Sequence, residues 1–142
     1  MIGAPVAREL LNQRQWDGHG EVRERGMEYC KIMAYVTEMR LEHVERALMD
    51  AGVKGISVSW VKGYGEYKNF FSRDLLCCSH AKIEVFALRE DTDAIVDLIM
   101  KNANTGGPSS GLVAVQPVEK IFRVRTGERV RPELLELPRP AP

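Results

Sequence analysis

Two amphipathic helical stretches are each enclosed by strand-like runs, and this doubled order constrains the fold more than any other feature of the chain. In the first, Leu41, Val44, Ala47, Leu48 and Ala51 fall on one helical face, and Gly52 supplies a stop. In the second, Ile95, Leu98 and Ile99 line the apolar face. Asp91 or Thr92 can cap its start, Lys101 suits the negative end of the helix dipole and Gly106 can end it. "KIMAYV" precedes the first helix and "KGISVSWVKGYG" follows it. In the latter, Ile56, Val58 and Trp60 share one side, and Ser57, Ser59 and Val61 the other. "KIEVFAL" precedes the second helix, and "LVAVQPV" and "KIFRVR" follow it, with Pro117 interrupting. The order β-α-β, long loop, β-α-β predicts an α+β ferredoxin-like split βαβ domain. Both helices then pack on one sheet face, and self-assembly is a common way to cover the other.

The 142 residues suffice for one such domain with flanking segments. Residues 1–29 read as a poorly structured extension: "ARELLNQRQW" offers one or two helical turns, and "DGHGEVRERG" is polar and Gly-punctuated. Residues 30–129 form the domain, and the charged, Pro-rich 130–142 read as a tail. Twenty basic and twenty acidic residues cancel, which argues against a general nucleic-acid binder. No apolar run approaches the roughly 18 residues of a membrane helix, so no membrane insertion is expected. The start lacks the pattern of a secretory signal, and three cysteines, two adjacent, make no disulfide framework. A reducing cytoplasm is the expected setting.

The stretch "VEKIFRVRTGER", Val118 to Arg129, carries the first chemical signal. Read as a strand, it points Arg123 and Arg125 to the same side. Two aligned guanidiniums, each a fixed fork of donors, make a clamp for phosphate or carboxylate. A solvated strand face is the alternative, since surface arginines are mostly hydrated.

"KGYG" at 62–65, "KIEV" at 82–85, "TG" at 105–106 and "PVEKIFRVRTGE" at 117–128 resemble, in this order and on this plan, the PII signal-transduction proteins. "LEHVERALMDAGVKGISVSWVKGYG" looks like that family's first helix and second strand. The resemblance covers residues from about 29 to 129 and implies a homotrimer without catalytic residues. Such a protein binds adenine nucleotides between subunits, regulates target proteins through a protruding T-loop (here 64–81) and acts in the regulation of nitrogen utilization. It implies phosphate contacts from Arg123 and Arg125, close backbone approach to the nucleotide at Gly63, Tyr64 and Gly65, and contacts to the base or ribose from Glu84 and Ser57. A surface carboxylate and a strand serine are the plain alternatives for the last two. It also implies a phosphate-gripping B-loop over 105–111, with Thr105, Gly106, Ser109, Ser110 and Gly111.

The chain departs from the family pattern at informative places. The B-loop usually reads TGxxGDGK; here it is "TGGPSSGL", with Ser109 and Ser110 for the second Gly and the Asp, and Leu112 for the Lys. The Arg-Gln pair at the T-loop base is Glu66-Tyr67, and the Lys that grips 2-oxoglutarate is His80, a weaker and pH-dependent cation. All three changes lower the positive charge available to a triphosphate and a dicarboxylate. ADP or AMP is therefore the expected ligand, with ATP a further candidate, Mg not specified, and another small anion in place of 2-oxoglutarate; the resemblance to divergent PII-like proteins linked to inorganic-carbon handling implies bicarbonate. The T-loop is short and lacks a Tyr between Lys68 and His80, so the family's uridylylation target is missing. Its apolar Phe70, Phe71, Leu75 and Leu76 form either a partner surface, for a transporter or metabolic enzyme, or a loop that folds down on itself.

Cys77, Cys78 and His80 in "CCSH" open a second reading, a metal-responsive trimer. The spacing is not that of a CxxC site, and neighbours on an extended segment point oppositely. No paired carboxylates, nucleophile–base pair or metal triad emerges at workable spacing, so no enzymatic activity is expected.

Overall fold

The computed structural model describes residues 14–16, 22–24, 28–63, 78–107, 110–139 and 141, with backbone alone for 14–16, 22–24, 63, 78 and 79. In residues 1–29, β1 (Arg14–Trp16) pairs antiparallel with β2 (Val22–Glu24), Gln15 opposite Arg23. The residues at the end of the expected helical turns are thus extended.

The domain proper runs β3 (Tyr29–Thr37), α1 (Glu38–Asp50), β4 (Ser57–Gly63), β5 (Cys78–Leu88), α2 (Thr92–Ala103) and β6 (Leu112–Val118). The four strands form one antiparallel sheet in the order β4-β5-β3-β6, the ferredoxin-like α+β arrangement. Period-two alternation sets the register. Ile32, Ala34 and Val36 lie opposite Val85, Ile83 and Ala81 and face the helices. They are buried with Val44 and Leu48 of α1 and Ile95, Ile99 and Ala103 of α2. The other face carries Lys31, Met33 and Tyr35 on β3, Lys82, Glu84 and Phe86 on β5, and Ser57 and Ser59 on β4.

The helix ends follow local chemistry. Gly52 takes φ 88°, its N–H bonds the Met49 carbonyl at 3.0 Å, and Val53 reaches back to Leu48 at 3.0 Å. This paired closure satisfies two carbonyls that α1 would leave open. Asp91 is the N-cap residue of α2, but its side chain does not cap. Its Oδ2 instead accepts the Leu137 N–H at 3.1 Å, while the Thr92 hydroxyl donates to the Leu88 carbonyl at 3.1 Å.

Past β6 the chain does not continue as the expected second strand run. It forms a small hairpin, with Phe122 bridged to Arg129. Arg123 N–H donates to the Glu128 carbonyl at 2.9 Å, and Gly127 N–H to the Arg123 carbonyl at 2.8 Å. Gly127, at φ 69°, adopts the left-handed conformation this turn requires. The segment read as a tail then folds back onto the domain. Val130 is buried, and its carbonyl accepts the Tyr29 hydroxyl at 2.6 Å. A 3₁₀ turn, Pro132–Leu134, follows, and Leu137 packs against the main core.

Candidate ligand cleft

The β4–β5 register sets Ser57 directly opposite Glu84 on the open sheet face. The hairpin after β6 brings Arg123 to the same place. The three share a cleft of about 420 Å³, whose wall also includes Lys54, Ile56, Phe86, Ile95, Leu134, Leu135 and Leu137. That volume suits a nucleoside-sized ligand. Lys54, Ser57, Glu84 and Arg123 supply its polar and charged side chains; the other side chains of the wall are apolar.

Glu84 is the electrostatic centre of this face. Lys31 Nζ approaches its Oε1 at 3.2 Å and Lys82 Nζ approaches the same oxygen at 3.3 Å. Hydrogen bonds from Lys31 and then Lys82 hold the Glu84 carboxyl below the ordinary carboxylate range. The group is therefore ionised at neutral pH. Glu84 lines the cleft together with the cationic Arg123 and Lys54.

Arg123 and Arg125 do not share a strand face. Arg123 precedes the turn and lines the cleft, whereas Arg125 lies within the turn, exposed and outside the lining. The alternation expected from "KIFRVR" fails because the left-handed Gly127 closes a hairpin.

Thr105, Gly106, Ser110 and Gly111 form a separate, self-bonded turn that does not line this cleft. Ser110 Oγ accepts the Thr105 N–H at 3.1 Å and lies 2.9 Å from Thr105 Oγ1. Asn104 Oδ1 accepts the Gly106 N–H at 2.8 Å, and Thr105 Oγ1 accepts that of Gly107 at 3.4 Å. Side-chain oxygens thus accept the backbone N–H groups of Thr105, Gly106 and Gly107. Gly111 takes φ 108° against β3, where a Cβ would run into the Tyr35 carbonyl. Ser109 lies outside the described residues.

Gly63 and Cys78 are direct partners in the β4–β5 ladder, so the chain from 64 to 77 leaves and returns at one point. Tyr64, Gly65, Phe70, Phe71, Leu75, Leu76 and Cys77 lie outside the described residues. His80 stands half-buried, opposite Val61 on one side and Thr37 on the other. Among the described residues no group of three His, Cys, Asp or Glu could hold a metal, and no helix is long and apolar enough to cross a membrane.

Sequence reasoning missed Lys54, Phe86 and the three tail leucines as cleft residues. The signal for the last was present: "ELLELP" places three leucines inside an otherwise charged, Pro-rich segment.

The family model described as "Nitrogen regulatory protein P-II" matches residues 29–128. "Nitrogen regulatory protein P-II" of Nostoc punctiforme is 32% identical over 105 residues, covering 70% of this chain and 94% of that protein. The protein of the same description from Synechocystis is 31% identical over 105 residues, again with 70% and 94% covered. Among solved structures, a crystal structure of Arabidopsis thaliana PII bound to citrate superposes with a TM-score of 0.61 at 29% identity. The match covers 72% of this chain and 86% of that one.

Proposed function

The chain belongs to the nitrogen regulatory P-II family as a divergent member, and from that premise we propose that it is a non-enzymatic, adenine-nucleotide-responsive regulator. The cleft holding Ser57, Glu84 and Arg123 takes ADP or AMP in preference to ATP. The base and ribose lie toward Ser57 and Glu84, and the phosphates toward Arg123. A neighbouring subunit of a homotrimer completes the site with its 105–111 turn, which one chain alone does not bring into the cleft. Occupancy repositions the loop between Gly63 and Cys78 and so changes affinity for a cytoplasmic target, a transporter or metabolic enzyme. The coupling requires different loop contacts in the two states, since a ligand binding both equally shifts nothing. A second small anion, such as bicarbonate, takes the place of 2-oxoglutarate.

The observation that carries this reading is the convergence of Ser57, Glu84 and Arg123, far apart in sequence, on one cleft of about 420 Å³. The citrate carried by the Arabidopsis relative supports anion binding on this fold. The preference for fewer phosphates rests on Leu112 and Glu66, which stand where the family pattern has cations. Calorimetry with ADP, AMP and ATP, the last with Mg and 2-oxoglutarate, tests the proposal. Micromolar binding of ADP or AMP is expected, with little gain for ATP from 2-oxoglutarate. Absence of binding by all three nucleotides contradicts the reading, and a large 2-oxoglutarate-dependent gain contradicts the nucleotide preference.

A further inference from the structure

Part of the cleft wall comes from the C-terminal segment. Leu134, Leu135 and Leu137 line the cleft together with the polar Ser57, Glu84 and Arg123. This segment is fastened along its length. Lys54 Nζ lies 3.5 Å from the Glu133 carbonyl, the Leu137 N–H meets Asp91 Oδ2 at 3.1 Å, and Arg139 pairs with Glu90 at 2.7 Å. Leu137 is the anchor, packed on the core, while Leu134 keeps 41% of its surface exposed. An apolar side chain on a tethered segment, turned into a cleft, is surface that a ligand can cover without ordering the chain first.

We propose that this segment is a specificity element of the cleft, with Leu134 and Leu135 covering one face of the adenine ring. The proposal rests on the adenine-nucleotide reading above and deepens it. A purine has two apolar faces and a rim of donors and acceptors. The cleft offers both kinds of surface, aliphatic side chains and the paired Ser57 and Glu84 that can meet the rim. Base recognition then belongs to the leucines and the β4–β5 edge, and phosphate recognition to Arg123. The tail is part of the binding site, although the family match ends at residue 128.

The test compares Leu134→Ser and Leu135→Ser in the full chain, titrated with adenosine and with ADP. Each substitution is expected to weaken both ligands by the same factor, about ten-fold, because only contact with the base is lost. Leu134 is exposed enough for its variant to keep the wild-type melting temperature, so it decides the matter should Leu135→Ser not fold. Unchanged affinity for both ligands in the folded Leu134 variant overturns the proposal, as does a loss confined to ADP. If the wild type binds neither ligand, the adenine-nucleotide reading fails and this proposal with it. If the wild type binds and the variants match it, only the role of the leucines fails.

Discussion

The Tyr29 hydroxyl donates to the Val130 carbonyl at 2.6 Å, joining the first residue of the sheet to the hairpin's exit across 101 positions of sequence. Both residues are buried. Tyr29→Phe removes the donor and leaves that carbonyl in an apolar setting. A loss of about 1–3 kcal/mol is expected, read as a lower urea midpoint with an unchanged slope. An unchanged midpoint would mean that water replaces the phenol.

Gly111 has the tightest backbone approach among the described glycines. Its φ of 108° disfavours any side chain, and a Cβ meets the Tyr35 carbonyl. Gly111→Ala is expected to destabilise the fold by more than about 1 kcal/mol, with β6 shifted from β3. A variant as stable as the wild type in thermal melts would show that the 105–111 turn relaxes freely.

Much of the fold was legible because its signals are local. Alternation in "KIMAYV" and "KIEVFAL" marks the core face of each strand, and the spacing of Val44, Leu48, Ile95 and Ile99 marks the helices. Ser57 and Glu84 were legible only through the family resemblance; their opposition is a property of register. The fate of "KIFRVRTGE" was not legible, since an apolar alternating run carries no sign that Gly127 will close a hairpin beneath it. Nor was the docking of 130–139, which depends on Asp91 bonding a distant N–H in place of its own helix. Composition marks such a segment as a tail, whereas a few leucines and an available carboxylate can hold it down.

The acid limb of stability reports on Glu84. Its carboxyl titrates below the ordinary value of 4.5 because Lys31 and Lys82 bond the ionised form. A folded-state value below the unfolded one adds stability above the unfolded value, and that stability is lost as pH falls through the folded value. Glu84→Gln should therefore show a smaller drop in melting temperature than the wild type as pH is lowered from 4.5. Parallel curves for the two proteins would contradict this electrostatic assignment.

Assembly is testable without a ligand. The sheet face opposite the helices exposes Phe86 at 47%, beside the half-buried Met33 and Tyr35. Packing of such faces in a homotrimer covers them. Multi-angle light scattering at micromolar concentration is expected to give three times the 16.0 kDa chain mass. A stable monomer would remove the subunit boundary on which the proposed nucleotide site depends.

The most direct measurement is the affinity of Arg123→Ala for ADP and for adenosine. Arg123 lines the cleft with Ser57 and Glu84, and a charge-assisted hydrogen bond contributes about 1.5–3 kcal/mol, or roughly ten- to a hundred-fold in affinity. The variant should lose that factor for ADP, keep its affinity for adenosine, and retain the wild-type melting temperature and mass. Equal affinity for ADP in variant and wild type, or an equal loss for ADP and adenosine, would contradict the assignment of this cleft to a nucleotide whose phosphates meet Arg123.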